Sequence, residues 1–356
     1  MAIQSPSAEA STFLFGAGGA ASWVLNGFQR EGISVAGFID DAAERIRTVG
    51  SVLVYAPDDA RISRSDRDTA TVVCAVMNPA VDEDAIQRRL RELGWRNVQT
   101  LGTYGRMELR KTGRRCSMLD GGSLEHHSGE LKHARSLLCD AHSQAVFDAF
   151  VAFCRELDDT GFPPISPNPY FPSDLPRWCE RLRLIDCGAF DGDSVRAAQS
   201  HGYTIEASIS FEPDPANFNR LATNIVSIAG AMAWPCGVSD QTRMLRFAAQ
   251  GDTGSSVSAT GDVHVQCVTL DDTIPHFAPN LIKLDIEGSE ESALRGAERL
   301  IRSHRPGIAV SVYHLPTDIW RIPLYLSEIL GADTKFFLRR HSRTIADTVL
   351  YVFPQQ

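Results

Sequence analysis

The sequence predicts an α/β protein of two doubly wound, Rossmann-like sheets. A smaller unit covers residues 1–105, a larger one covers 181–356, and a connector with a helical linker spans 106–180. Three observations predict this. Apolar runs of strand length alternate with segments whose apolar residues recur at helical spacing. Two of the runs open into glycine turns, G-A-G-G-A-A from Gly16 and G-A-F-D-G from Gly188. Each turn is followed by an acidic residue 24 positions beyond its first glycine, Asp40 and Glu212, the length of a βαβ unit.

The totals agree. A chain of 356 residues has ample length to bury two cores, and 43% hydrophobic with 22% charged residues argues against wholesale disorder. A formal net charge of −9 argues against nucleic-acid phosphates as a partner. No stretch approaches the roughly 20 uncharged apolar residues of a membrane span. The opening M-A-I-Q-S-P-S-A-E-A lacks the basic and apolar regions of a signal peptide. Eight cysteines without a C-x-x-C pair suit free thiols, so a cytoplasmic protein is expected.

In chain order, Thr12–Phe15 reads as a strand, and the Gly16 turn leads into a helix to about Arg30. Ile33–Ile39, Val52–Tyr55 and Thr71–Val76 read as further strands. Val81, Ile86, Leu90 and Leu93 mark a helix that Gly94 stops. Gly16, Gly18 and Ala21 fit G-x-G-x-x-A, and this turn holds no carboxylate, so a phosphate is electrostatically permitted there. Packing and assembly are the other uses such a unit can have, and it offers a surface for a homo-oligomer.

Gly105–Glu130 reads as a polar connector whose basic run, Arg110, Lys111, Arg114 and Arg115, is solvated surface. Leu131–Leu157 reads as helix in two pieces. Gly161–Pro176 holds six prolines and is a rigid loop. His126, His127, Glu130 and His133 follow no established ligand spacing, so they are assigned to exposed linker.

Leu182–Ile185 predicts a buried strand that turns on Gly188 and Gly192 into a helix starting near Ser194. Asp186, Asp191 and Asp193 crowd the turn, and no Lys or Arg lies between Leu184 and Val195. A pyrophosphate would be repelled there, even at a helix N-terminus. S-adenosylmethionine has no phosphate and carries an ammonium and a sulfonium, so the turn reads as a methyl-donor site. Glu212, at the tip of the strand ending in Phe211, is placed to accept hydrogen bonds from ribose hydroxyls. Pro215–Ile228 reads as a helix and Ala231–Cys236 as a strand, which puts Gly237–Asp240 beside the adenine. Thr242–Phe247 and His264–Val268 read as short strands flanking a polar loop, Gly251–Gly261, that could cover the pocket or equally be a surface excursion.

Leu281–Glu290, L-I-K-L-D-I-E-G-S-E, is the second chemical stretch. Strand periodicity puts Lys283 and Asp285 on one face, where a lysine among apolar residues needs a partner. Asp285, Glu287 and Glu290 gather at the sheet edge that holds Asp186 and Glu212. His314, at the tip of the strand Gly307–Tyr313, is suited to take a proton from a hydroxyl. His314 and Asp285 sit at adjacent strand tips and either could take the proton; the favoured reading makes His314 the base, with Lys283 holding Asp285 ionised. Glu287, Tyr313 and His314 bind the acceptor.

Four segments in this order, D-C-G-A-F-D-G, F-E-P-D-P-A-N-F-N-R-L-A-T-N, K-L-D-I-E-G-S-E-E-S-A-L-R-G-A and R-P-G-I-A-V-S-V-Y-H, resemble the FkbM-type S-adenosylmethionine-dependent methyltransferases over residues 182–353. The resemblance implies a class I methyltransferase fold. It also implies O-methylation of a small-molecule or glycan acceptor, at a hydroxyl of a sugar, polysaccharide or polyketide-type metabolite. It puts Asp186, Gly188 and Gly192 at the donor's methionine end, Glu212 at its ribose, and Asp285 to Glu287 at the reaction centre. Ala189, Phe190, Asp191, Pro213, Gly237 and Val238 complete the expected donor site. Phe190 stands where class I methyltransferases commonly have the loop's middle glycine, which narrows the backbone's approach to the donor.

The segments P-T-D-I-W-R-I-P-L-Y and L-R-R-H-S-R are similar to a subset of that family. The subset often carries a small N-terminal domain like residues 12–105, which is similar to domains of sugar-modifying acyltransferases. Two other readings stay open: an NAD(P)-dependent oxidoreductase using the Gly16 turn, and a non-catalytic nucleotide-sugar-binding or assembly protein. No metal ligand set is read from the sequence, and the acidic cluster leaves open whether a divalent metal assists.

Overall fold

The structure is a computed structural model that describes residues 11–18, 21–30, 32–76, 81–104, 124, 126–156, 161–248, 256–257, 263–342 and 344–355. It divides into two compact units, 1–125 with 151–161 and 126–150 with 162–356. The linker expected over 106–180 is therefore not a separate region, because 126–150 and 162–180 belong to the second unit. The basic run at 110–115 lies outside the described residues, as does most of the loop expected over 251–261.

In the first unit, one six-stranded sheet is built from β1 (Thr12–Phe15), β2 (Val35–Ile39), β3 (Thr48–Val49), β4 (Val52–Tyr55), β5 (Thr71–Cys74) and β6 (Asn97–Thr100). The order is β3-β4-β2-β1-β5-β6, with every pair parallel except β3 with β4. Sequence periodicity does not reveal β6, because N-V-Q-T carries a single apolar residue, Val98. Phe13, Phe15, Ile39, Val72 and Trp95 form the core on one face. The helix Glu83–Glu92 starts at Asp82, whose carboxylate accepts the Ala85 N–H, and it stops before Gly94 at φ 94°. Asp40 accepts the N–H groups of Ala17 and Ala42, each at 2.7 Å, and so fastens the Gly16 turn to the tip of β2.

The second unit carries β7 (Arg181–Cys187), β8 (Thr204–Phe211), β9 (Ala231–Trp234), β10 (Gly237–Val238), β11 (Arg243–Ala248), β12 (Ser256–Val257), β13 (Val263–Val268), β14 (Leu281–Leu284), β15 (Gly307–Ser311), β16 (Lys335–Arg340) and β17 (Thr348–Phe353). Seven of them form the main sheet in the order β16-β17-β15-β14-β7-β8-β9. Only β17 runs antiparallel, because a short turn brings the chain straight back from β16. This is the class I methyltransferase arrangement. The other four form a small sheet, β10-β13-β11-β12, inserted between β9 and β14.

β14 is buried along all four residues, which explains its unbroken apolar run apart from Lys283. The strand order reverses between β7 and β14, so the chain leaves their carboxyl ends in opposite directions and a crevice opens there. Helix Pro215–Ile225 begins sharply after β8. Asp214 accepts the N–H groups of Ala216 and Asn217, and Pro215 occupies the first turn, where no N–H partner is needed.

The two helical pieces expected near Leu131–Leu157 are Ser128–Leu137 and Ala141–Glu156. Between them Leu138 bridges to Phe336, and the Asp140 carboxylate accepts the Ser143 N–H at 2.6 Å. His127 stacks on Trp320 with ring centroids 5.4 Å apart, so that part of the sequence packs as helix start and is not loose linker. Among the described residues no helix is long and apolar enough to cross a membrane.

Candidate active site

A cavity of about 450 Å³ opens at the reversal point, beyond the carboxyl ends of β7, β8, β10, β14 and β15. Among the described residues its wall holds five carboxyls, Asp193, Glu212, Asp285, Glu287 and Asp347, against one cation, Lys283.

The turn after β7 forms one side. Gly188 sits at φ 76°, and a Cβ there would lie 1.8 Å from the Asp285 carbonyl oxygen. Only glycine lets the β7 and β14 tips approach this closely. Phe190 takes a left-handed backbone, φ 47°, that aims its N–H at Glu212 Oε2, 2.8 Å away. The Asp214 N–H donates to the other oxygen at 2.9 Å. Burial outweighs both hydrogen bonds and pushes the Glu212 carboxyl up to about 7.

Of the donor-site residues expected from the sequence, Gly188, Phe190, Glu212, Pro213, Gly237, Val238 and Asp285 line the cavity, whereas Asp186, Ala189, Asp191 and Gly192 do not. Ala189 is fully buried. Asp191 is paired with Arg196 at 2.7 Å. Gly192 is required because a Cβ would meet Ile225 at 2.9 Å, so it serves packing of the Pro215–Ile225 helix.

Asp186 is fully buried, and its partner is Lys283, with Nζ 3.1 Å from Oδ1. The pairing follows from register, since Lys283 lies directly opposite Asp186 across β14 and β7. Lys283 also donates to the Gly188 carbonyl at 2.6 Å. The close ion-pair partner of Lys283 is thus Asp186, while its charge also acts on Asp285, which lies just beyond the end of β14 at Leu284. Burial alone would lower the lysine, but Asp186, Asp285 and Asp193 outweigh it and hold the ammonium above its ordinary range.

Asp285 accepts the Tyr170 hydroxyl proton at 2.7 Å. Burial pushes its carboxyl up, but the charges of Lys283 and His314 and the hydrogen bond from Tyr170 prevail and keep it low. His314 is only 7% exposed. Its Nδ1 lies 2.7 Å from Glu290 Oε1, and its Nε2 lies 3.6 Å from both Asp285 Oδ1 and Glu287 Oε2. Burial would favour neutral imidazole, yet Glu290, Asp285 and Glu287 together raise its pKa to about 10. An imidazolium has no lone pair to accept a proton. These charges oppose the base role expected of His314, which sits among three carboxylates and is hydrogen-bonded to Glu290.

Glu290 is fully buried and accepts the N–H groups of Ile286 and Gly288 at 2.9 and 3.0 Å. It thereby shapes the turn in which Glu287 takes φ 55°. Among the described residues Asp285, Glu290 and His314 bring possible ligand atoms within 4.8 Å of one another. A cation there would compete with the bonds that hold this turn. Glu287 and Tyr313 line the cavity as the sequence suggests, while His314 lies off its wall.

Sequence reasoning missed Tyr170, Ser194, Asn217 and Asp347, all on the cavity wall. Asp347 follows β16 in a left-handed turn, φ 53°, and burial pushes its carboxyl up to about 6. Tyr170 comes from the proline loop, which no periodicity connects to the sheet. The signal that could have raised it is an aromatic residue inside P-N-P-Y-F, a stretch too rigid to be filler.

Residues 186–341 match the family described as the methyltransferase FkbM domain. A crystal structure of the FkbM methyltransferase from Methylobacillus flagellatus KT is similar to the chain. It has a TM-score of 0.68 and 22% identity over 97% of this chain and 90% of that one. An rRNA methylase of Streptococcus thermophilus aligns with a TM-score of 0.33 and 10% identity over 50% of this chain and 90% of that one. Fibrillarin of Aeropyrum pernix, with natively bound S-adenosyl-L-methionine, aligns at 0.32 and 10% over 50% and 70%. No curated protein matches the chain. Residues 186–341 of the second unit thus match the methyltransferase FkbM domain.

Proposed function

We propose that the second unit binds S-adenosylmethionine in the cavity and transfers its methyl group to a hydroxyl of a sugar, polysaccharide or polyketide-type acceptor. The observation that carries this reading is the charge on the wall. Five carboxyls face one ammonium, and that ammonium is already neutralised by Asp186 beneath it. A dinucleotide pyrophosphate would add negative charge to a negative pocket, whereas a sulfonium with an ammonium offsets it. Glu212, held by two backbone N–H groups beside Phe190, is the acceptor for the ribose hydroxyls. Gly188 gives the donor's methionine end close backbone. Gly237 and Val238 border the adenine.

Methyl transfer is an in-line displacement. The acceptor oxygen bonds to the methyl carbon while the sulfur keeps the electrons of the broken C–S bond. The cofactor supplies its own leaving group, so the protein's task is to hold the oxygen about 3 Å from that carbon and to take the hydroxyl proton. Asp285 fits the second task, since it is ionised, lines the cavity and lies beside His314. The His314 imidazolium stabilises the carboxylates around it. Glu287 and Tyr313 are placed to bind the acceptor.

The test is transfer from methyl-labelled donor to a panel of glycans, glycosylated metabolites and polyketides, followed by mass. One compound gaining one methyl group is the expected result. Asp285→Asn should then lower turnover by about 10²–10⁴-fold at unchanged S-adenosylhomocysteine affinity. Undiminished turnover in that variant would move the base to another group.

A further inference from the structure

The proline loop 161–176 brings Pro169 and Tyr170 to the cavity wall, and the way Tyr170 is held points to a purpose. Tyr170 adopts φ 67°, in the left-handed region that costs a non-glycine residue energy and persists where surroundings enforce it. Three contacts enforce it. Its N–H donates to the Tyr351 hydroxyl at 3.0 Å, its carbonyl accepts the Trp178 indole N–H at 2.8 Å, and its hydroxyl donates to Asp285 Oδ2 at 2.7 Å. The Lys283 ammonium lies 5.3 Å from the centre of its ring.

The loop is locked behind this residue. His341 is buried with its pKa lowered to about 4 by burial, so it is neutral, and its Nδ1–H donates to the Ser166 carbonyl at 2.7 Å. Its Nε2 must then accept the Tyr351 hydroxyl proton, 2.8 Å away, which leaves the Tyr351 oxygen free to accept from Tyr170. Arg340 Nε donates to Pro163 O, and Arg339 Nε to Asp174, both at 2.7 Å.

We infer that Tyr170 is a positioning residue for the methyl transfer: its hydroxyl fixes the rotamer of Asp285. This rests on the methyl-transfer reading above. Other charged and titratable groups also face Asp285. Lys283 and Glu290 belong to its own segment, His314 and Tyr313 to the β15 tip, Asp186 to β7, and Asp347 to the turn before β17. All of them remain in Tyr170→Phe, which removes one oxygen and keeps the ring.

The test is initial-rate kinetics of full-length Tyr170→Phe against pH, with an S-adenosylhomocysteine titration beside it. Loss of a hydrogen bond to a charged group should lower kcat roughly 10- to 100-fold, with donor affinity and donor KM unchanged. The acid limb of the pH–rate profile should move to higher pH, because the ionised carboxylate has lost a donor. Tyr351→Phe frees the Tyr170 backbone but spares its hydroxyl. It should lower kcat less without moving that limb, and it keeps the loop's role testable if Tyr170→Phe does not fold. Wild-type kcat and profile in Tyr170→Phe would overturn the inference alone. Failure of the unaltered protein to bind S-adenosylhomocysteine would overturn the underlying reading.

Discussion

Gly188→Ala is expected to abolish donor binding. The new Cβ would lie 1.8 Å from the carbonyl oxygen of Asp285 and 2.8 Å from its carbonyl carbon, and both are backbone atoms that no rotamer change can move. A positive φ of 76° adds roughly 1 kcal/mol of strain. Relief requires the β7 and β14 tips to separate, which also draws the Gly188 carbonyl away from Lys283. S-adenosylhomocysteine affinity measured by calorimetry should fall at least about 100-fold, the cost of two or more tightly placed contacts. Gly202→Ala is the matched control, because it has a similar φ of 80° but nothing within 4 Å of the added carbon. It should keep wild-type affinity. Equal affinity in both variants would mean that the close approach at Gly188 serves packing only.

Lys283→Met should be the most destabilising single change in the second unit. It leaves the Asp186 carboxylate fully buried without its cation, which costs about 3–5 kcal/mol. Already with Lys283 in place, burial raises the Asp186 carboxyl to about 6, and losing the lysine raises it further. A folded-state pKa above the unfolded one means that stability is present at low pH and falls as pH rises through the folded value. The deficit should therefore be largest above pH 7 and partly recover towards pH 5, where Asp186 takes a proton. Urea denaturation across that range measures it. The pair Asp186→Leu with Lys283→Met should regain most of the loss, since two apolar residues need no partner. A double variant as unstable as the single one would show that the pair does more than neutralise itself.

These two residues also show where sequence reading stops. Gly188 and Glu212 were legible because their chemistry is local: a strand, a turn and a helix carry the spacing, and the missing basic residues set the charge. Lys283 announced that it needed a partner, but the partner was decided by register between strands about a hundred positions apart, and Asp186 was first assigned to the ligand. Asp285 was placed on the face of Lys283 by a period of two that ends one residue earlier, at Leu284. His314 is legible at its strand tip, but its protonation state is not, because that depends on three carboxylates converging from one turn. Tyr170 left no periodic trace, since an irregular loop reaches the site only through tertiary hydrogen bonds. The small sheet β10-β13-β11-β12 was visible as two extra strands and not as a sheet, because β10 and β12 have two residues each.

The central claim is that the acid-lined cavity of the second unit, and no site built on the Gly16 turn, holds the methyl donor. Titrating S-adenosylhomocysteine into the full-length protein, Glu212→Gln and Asp40→Asn at pH 6 and pH 8 tests it most directly. In the free protein the Glu212 carboxyl titrates near 7, and ribose hydroxyls that donate to it favour the ionised form. Binding at pH 6 should therefore expel close to one proton, affinity should rise towards pH 8, and Glu212→Gln should remove both effects while weakening binding by roughly 1–3 kcal/mol. Asp40→Asn should bind like the unaltered protein. Undiminished binding in Glu212→Gln together with its loss in Asp40→Asn would contradict the account and move the donor to the first unit.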